Sequence, residues 1–448
     1  ETFCGQEFLN RHTLVPVLPL GNPMFEQKNK RSLFFLFFTV FLDMLGFGIL
    51  IPIIPQLFAN PSSQFFLLSP ETSIGFGYIL LGFLVAVFPL GQFFSTSVMG
   101  QLSDFYGRKK LLIISIGATV IAYVLFALGI WWRNIPLLFI SRFFAGITGG
   151  NIVVAQAAIA DLTIPENRSR NFGMIGAAFG LGFIIGPYIG GKLSDPTFIA
   201  GLTPSSPFWF AACLAFINTL LIIFYFKETN LNPKREKINW NKSIFNIKRA
   251  LTLPNLRHLY VTSFLYQAGF SFYTSFFAVY LVYKFSVDQG TIGEFFAFIG
   301  LCVVLTQVFI VRRVAKAYKE ETILRWSILG SGLAVLSFFM PHQLLFLFAL
   351  VPFFAVFNGL SLVNLTAIIS KSADPKEQGE ILGINASVSA LAQAIPPAIS
   401  GFVAAIVIPT QPIVVAGVFI LISGLYFGFV FKTLRNKEKN KVIGTVIH

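Results

Sequence analysis

Four polar side chains stand among neighbours that are almost all apolar. Asp43 lies in Asp43-Met-Leu-Gly46-Phe-Gly48-Ile-Leu-Ile-Pro52-Ile-Ile-Pro55. Arg142 lies in Phe139-Ile-Ser-Arg142-Phe-Phe-Ala-Gly146-Ile-Thr-Gly149-Gly150-Asn151, and Gln92 in a third apolar run. A carboxylate can take up and release a proton, whereas a guanidinium keeps its charge. A carboxylate at hydrocarbon depth costs at least ~2.5 kcal/mol on insertion scales. It is tolerated if it faces a wet cavity, pairs with a cation or is protonated. Two readings of Asp43 follow: a proton carrier, or an acid that only locks its helix to its neighbours. Arg142 either snorkels to the surface or is buried as the partner of Asp43. Gln92 either faces a cavity with Asn151 or makes a helix–helix hydrogen bond.

Further along the chain the embedded polar groups are neutral: Gln267, Gln307, Asn358, Asn364, Asn385 and Gln393. Gln267, Asn358 and Asn364 could orient a small-molecule substrate through a few hydrogen bonds, with apolar walls around it. Glu294 reads as a solvated acid at a helix start. The many phenylalanines face lipid for the most part, with a minority left to line a cavity. No His/Cys/Asp spacing suits a metal and no hydrolase or kinase signature occurs, so no cofactor and no enzyme chemistry is expected.

The elements that hold these groups are apolar. Of the 448 residues, 55% are hydrophobic and 12% charged, and the mean hydropathy is +0.75. Soluble domains carry about 25% charged residues. Apolar stretches of about 20 residues recur, each long enough to cross a bilayer core of ~30 Å. Twelve are predicted, at about 33–58, 74–99, 111–132, 136–158, 171–193, 207–227, 258–283, 290–311, 323–341, 344–369, 379–408 and 411–432. One polar segment, 228–257, splits them six and six. The domain reading is therefore an N-terminal segment 1–32, a six-helix bundle 33–227, a linker 228–257, a second bundle 258–432 and a tail 433–448. The first 23 residues lack the long apolar run of a signal peptide and are expected to be non-native or disordered.

The formal charge is +14, but its distribution argues against nucleic acid. Lys28, Lys30 and Arg31, then Arg108, Lys109 and Lys110, then Lys234 to Arg249, fall in alternate loops. Arg312 to Lys319, Lys371 and Lys376, and Arg435 to Lys439 continue the alternation. The opposite loops hold little beyond Arg133 and Lys284. The positive-inside rule puts both termini and the linker in the cytoplasm of a multi-pass cell (inner) membrane protein. Cys4, Cys213 and Cys302 imply no disulfide framework.

Two further patterns stand out. Gly100-Gln-Leu-Ser-Asp104-Phe-Tyr-Gly107-Arg108-Lys-Lys110 reads as a short basic loop between two spans. Span five carries Gly182, Gly186, Pro187, Gly190 and Gly191, a smooth face for close helix packing with a bend at Pro187. Pro165, Gly173, Pro187 and Gly191 have counterparts at Pro375, Gly383, Pro397 and Gly401, about 210 residues on, so the halves read as repeats.

Together these residues resemble the twelve-helix drug/proton antiporters of the major facilitator superfamily, and most of all the tetracycline/proton antiporter branch. The resemblance spans about 30–432 and rests on Asp43–Pro55, Gly100–Lys110, Arg142–Gly150, Ala160-Asp161, Arg168, Phe172-Gly173 and Gly180–Gly191. It implies an all-α membrane fold of two pseudo-symmetric six-helix bundles. It implies that Asp43, Gln92 and Arg142 line a central cavity, with Asp43 and Arg142 serving proton coupling. It also implies that Asp104 and Arg108 stabilise one conformation by gripping the second half. Asp104 is then expected near Gln378–Glu380, with Arg108 paired to Asp161 or Asp104. Ala122 stands where the tetracycline pumps carry a further acid, and Val303 or Val304 where they carry a histidine. Both differences point away from tetracycline itself. In the second-half copy of the loop signature, Arg312 and Lys319 replace glycines. The reading is a proton-coupled, monomeric exporter of small apolar or amphipathic compounds, working with protons in a lipid bilayer. A nutrient uptake carrier and a transport-inactive scaffold or receptor are the alternatives.

Overall fold

The computed structural model describes residues 23–163, 168–230, 237–254, 256–372 and 378–446. Among them lie fifteen α-helices. In the first half these are α1 Pro23–Phe58, α2 Ile74–Tyr106, α3 Arg108–Trp131, α4 Ile135–Thr148, α5 Asn151–Asp161, α6 Arg168–Leu193 and α7 Ser206–Tyr225. The linker contains α8 Lys242–Thr252. The second half holds α9 Arg257–Phe285, α10 Gln289–Leu305, α11 Arg312–Ala317, α12 Glu320–Ser337, α13 Leu344–Lys371, α14 Gln378–Ile406 and α15 Gln411–Val446. A π-helical stretch, Thr306–Val311, joins α10 to α11. In lipid a helix satisfies its own backbone, which is why the apolar runs take this form. Their starts are fixed by polar caps: Asn134 Oδ1 accepts from Leu137 N–H at 3.0 Å and Asp288 Oδ1 from Thr291 N–H at 2.7 Å.

Ten segments are long and apolar enough to cross a membrane, α4 with α5 and α10 with α11 each counting as one. Helix α9, rich in Ser, Thr and Tyr, and the short α12 fall outside that set, yet they occupy the seventh and ninth places of the twelve expected. Three boundaries depart from the sequence reading. Helix α1 begins at Pro23 and α15 runs on to Val446. The segment Gly100–Lys110 is not a loop. Helix α2 continues through Tyr106 and α3 begins at Arg108, leaving Gly107 alone as the turn, with φ +96°. The polar linker also contains α8, whose buried Ser243, Asn246 and Ala250 recur at helical spacing.

Within the first half α1 packs on α6, α2 on α4 and α3 on α7; in the second, α9 packs on α15 and α12 on α13. The halves meet along α2–α14 and α6–α10. At the end opposite the basic segments, both interfaces use the same device. A Cβ on Gly82 would collide with the Pro397 carbonyl and lie 3.0 Å from Gly401 Cα. A Cβ on Gly293 would lie 2.5 Å from the Pro187 carbonyl oxygen and 3.2 Å from Gly191 Cα. The repeat read in the sequence is thus a repeat of contacts. Helix α6 turns a second glycine face to α1, where Gly182, Gly186 and Gly190 meet Met44, Leu45 and Ile49. Lys192 Nζ and Glu294 Oε1, 2.6 Å apart, bridge α6 and α10 at the same end, so Glu294 is not simply solvated. At the basic end the faces part: a Cβ on Gly173, Gly176 or Gly383 would meet nothing within 4 Å.

These contacts make a test. Ideal Cβ positions at Gly75 and Ala405 lie 3.3 Å apart, close to the spacing of a disulfide. Cysteines placed at both positions, in a chain lacking its own three, should cross-link under mild oxidation. Overpacking costs about 1–3 kcal/mol, so adding Gly82→Val should lower the cross-linked fraction roughly tenfold, measured by gel shift.

Candidate functional site

Helices α2 and α4 approach so closely that a Cβ on Gly146 would collide with the Phe88 carbonyl. That approach puts Gln92 and Arg142 against one another's helices. Helix α1 brings Asp43 and Phe47 to the same place, and α3 brings Thr119 and Tyr123. Together they enclose a void of about 10 Å³, the room of about one water molecule. The void lies between two packed clusters of the first half, one around Leu45, Ile49 and Phe126, the other around Val40, Leu112 and Val154.

Arg142 is 3% exposed, so it does not reach the surface. Its guanidinium carbon lies 4.6 Å from the centre of the Phe88 ring, a cation–π contact. Its Nε has no hydrogen-bond partner, and neither has Asp43 Oδ2. No ion pair joins Asp43 to Arg142 among the described residues; they share the void instead. Asn151 is fully buried, and both of its side-chain polar atoms are unpartnered. Gln92 donates to the Gly149 carbonyl at 3.2 Å, a helix–helix bond, and also lines the void. Thr119 Oγ1 donates to Thr148 Oγ1 at 2.9 Å and closes one wall. Buried polar atoms without partners are costly, and here two charged side chains carry them beside a water-sized space.

Tyr123 was not singled out in the sequence. Its hydroxyl occupies the place where a side chain on Gly46 would be, and it lines the void with Asp43 and Arg142. Only its position next to Ala122, where the resemblance looks for an acid, hinted at it. The second-half amides lie elsewhere. Tyr266 donates its hydroxyl to Asn358 Oδ1 at 2.5 Å, and Asn364 Nδ2 donates to the Leu360 carbonyl at 2.7 Å. Gln267 is half-buried. None of the three lines the void of Asp43.

The second polar cluster lies at the α2–α3 turn. Arg108 Nη1 pairs with Asp104 Oδ1 at 2.6 Å and Arg108 Nε with Asp161 Oδ2 at 3.2 Å. Both alternatives for its partner are therefore realised. Glu228 accepts from the backbone N–H groups of Arg108 at 2.8 Å and Lys109 at 3.1 Å. A carboxylate there satisfies orphan donors and matches the helix dipole. A Cβ on Gly107 would collide with that carboxylate, which adds to the demand of its positive φ. Gly100 lies inside α2, with Val153 the nearest neighbour to its absent side chain. Glu228, at the first residues of the linker, was not foreseen. Asp104 is half exposed, and its ion pair is to Arg108 rather than to α14. Glu380 of α14 pairs with Arg249 of α8 at 2.8 Å. The side chains of Arg168 and Gln378 lie outside the described ones.

The packing of Tyr123 is testable. Gly46→Ala should cost about 1–3 kcal/mol through the clash with the Tyr123 ring, read as a lower melting temperature in detergent. Adding Tyr123→Ala should recover part of that loss, since the two sites are coupled.

The chain matches the Major Facilitator Superfamily over residues 36–261 and again over 259–445, one match for each half. It is 30% identical to the tetracycline resistance protein, class H, of Pasteurella multocida, over 84% of this chain and 89% of that one. It is 28% identical to multidrug resistance protein 2 of Bacillus subtilis, over 89% and 94%. Among solved structures it is similar to the human organic anion transporter MFSD10 (TETRAN), with a TM-score of 0.67 and 22% identity over 89% and 99% of the two chains. With both halves matched and both bundles in place, the chain belongs to the major facilitator superfamily, as a multi-pass membrane transporter of small molecules.

Proposed function

We propose that this transporter is a proton-coupled antiporter that exports small apolar or amphipathic compounds by alternating access. The observation that carries the reading is the Asp43–Tyr123–Arg142 group around a one-water void, in a chain otherwise akin to tetracycline and multidrug resistance proteins. Asp43 holds the proton. The water-sized space gives it a route for exchange. Arg142, fixed over Phe88, supplies a positive charge that favours the ionised carboxylate, so that protonation changes how the first half packs. The second half offers neutral amides and aromatic rings for a ligand, and no cluster of cations to offset the hydration of a multiply charged anion.

In this reading the basic face is cytoplasmic, and both termini lie on that side of the cell membrane. The glycine contacts between α2 and α14 and between α6 and α10 close the outer end. The unmet faces of Gly173, Gly176 and Gly383 mark a cytoplasm-open arrangement. A monomer suffices, since the site lies within one chain. Substrate binds from the cytoplasm, and a proton taken up at Asp43 from outside drives the return. The two arrangements then interconvert as a biased equilibrium.

Two measurements test this. In proteoliposomes with an imposed pH gradient, Asp43→Asn should lose gradient-driven accumulation of a lipophilic compound while keeping measurable binding. Full accumulation by that variant removes Asp43 from the coupling step, and inward accumulation of a sugar by the native protein favours an uptake carrier. Asp104, half exposed and paired with Arg108, engages α14 when the basic face closes. Exposed ion pairs contribute about 0.2–1 kcal/mol. Asp104→Asn should therefore raise the fraction accessible to cytoplasmic-side thiol reagents by up to about fivefold, with slower turnover. Native accessibility together with native turnover counts against the gate.

A further inference from the structure

A second cavity lies in the second half, near its basic end, apart from Asp43. It has a volume of about 170 Å³, comparable to the ~150 Å³ engineered cavity that admits benzene. Helices α9, α12, α13 and α15 surround it. His258, Thr262, Glu321, Ser372, Phe427 and Phe431 are among its lining residues.

The polar groups facing it are acceptors. Thr262 Oγ1 gives its proton to the His258 carbonyl at 2.8 Å, and Ser372 Oγ gives its proton to the Ile368 carbonyl at 2.8 Å. Each hydroxyl therefore has only lone pairs left to offer. His258 is committed on both sides. Arg257 Nε donates to its Nε2 at 3.2 Å, and its Nδ1 is 2.7 Å from the Tyr426 hydroxyl. A guanidinium cannot accept, so Nε2 carries the lone pair, and the imidazole is the neutral tautomer with its proton on Nδ1. It brings no positive charge to the cavity.

Glu321 supplies the charge. It sits in the first turn of α12, where the helix's partial positive charge suits a carboxylate. Among the described residues it makes no ion pair. The nearby cations are engaged elsewhere: Lys371 with Glu320 at 2.6 Å, and Arg325 over Trp326 at 5.5 Å and against Gly428. Opposite lie the stacked rings of Phe427 and Phe431, with centroids 5.7 Å apart and planes 19° apart. Aromatic faces attract cations and pack against apolar groups.

We propose that this cavity is a binding site for a small aromatic or alkyl ammonium, a primary or secondary amine with an apolar body of about one ring. One carboxylate without an ion pair among the described residues and two acceptor-only hydroxyls match the donors of an ammonium, which has no acceptor to leave unpaired. The aromatic wall takes its body. A neutral alcohol of the same shape lacks the charge, and an anion meets the Glu321 carboxylate. The site stands whether or not Asp43 carries a proton.

The test uses the full chain, purified, with Cys4, Cys213 and Cys302 replaced and Val430→Cys as the reporter, since Val430 lines the cavity without a polar role. The rate of maleimide labelling is followed with 2-phenylethylamine or with 2-phenylethanol. The amine should slow labelling saturably and the alcohol should not. Hydrogen bonds to charged groups are the strong ones, so Glu321→Gln should weaken the protection about ten- to hundredfold. Asp43→Asn should leave the protection unchanged. If Glu321→Gln does not fold, Thr262→Val, which removes one acceptor, should weaken protection severalfold. Equal protection by amine and alcohol, protection that survives Glu321→Gln, no protection at all, or protection lost in Asp43→Asn instead would each overturn the proposal.

Discussion

The two halves of this transporter are held together where side chains are missing. In each of two interfaces a prolyl carbonyl and a glycine on one helix face a glycine on the other, backbone against backbone. In lipid there is little hydrophobic drive for helices to associate, and close van der Waals approach supplies the attraction. Any Cβ at these glycines would hold the helices apart. The contacts therefore set where the halves touch and, by their absence at the basic end, where they part. The first-half cluster around Leu45 and Ile49 also takes in Phe276, Val279 and Ala404 from the second half, which joins the cores on the same side.

That arrangement leaves the two bundles unequal inside. The second half has one large continuous cluster running from Tyr260 to Phe427, in which the Tyr266 and Tyr280 hydroxyls and the Asn358 amide are bonded locally and the Tyr273 hydroxyl has no partner among the described residues. The first half is divided into two clusters, and Tyr123 of one of them lines the same void as Asp43, Gln92, Thr119 and Arg142. An embedded charge is tolerated only where packing leaves it something to interact with. Phe88 and the water-sized void provide that here. The small residues Gly46, Gly91, Gly146 and Gly149 make room for it by letting α1, α2, α3 and α4 approach.

Much of this was legible in the sequence because lipid imposes a simple rule. Every span must be helical and about 20 residues long, so apolar runs marked ten places plainly, and helices α9 and α12 stand at the other two expected. Asp43 and Arg142 stood out because charges are rare in such runs. The misreadings share a cause. Gly100–Lys110 looked like a loop because its residues are polar, yet a helix leaving the bilayer continues as long as its backbone bonds are made, and only Gly107 breaks them. Helix α8 was hidden in a segment whose composition is that of a linker. Tyr123 packs against Gly46 and Glu228 caps Arg108, partners far apart in the chain, and no local spacing records such pairs. Asn358 and Asn364 were visible as embedded amides, but whether an amide faces a cavity or a neighbour's hydroxyl is settled by rotation about the helix axis, which composition does not encode.

The linker then takes on a role that its polarity alone did not suggest. Glu228 fixes its start to the first half by capping α3, and Asn230 Nδ2 adds a bond to the Asp104 carbonyl at 3.0 Å. Asn239 exchanges two hydrogen bonds with the Gln101 side chain, at 2.9 and 3.2 Å. From there α8 reaches the second half: Asn246 Nδ2 donates to Ser387 Oγ at 3.0 Å, and Arg249 pairs with Glu380. Ser97 Oγ of α2 lies 3.5 Å from the same Ser387 hydroxyl. One short amphipathic helix thus touches both α2 and α14 at the end where the halves are otherwise least joined. Single hydrogen bonds of this kind contribute about 0.5–1.5 kcal/mol each, comparable to the gap between interconverting states. The linker is therefore a weighted strap across the basic face, and the halves cannot change their separation there without remaking its bonds.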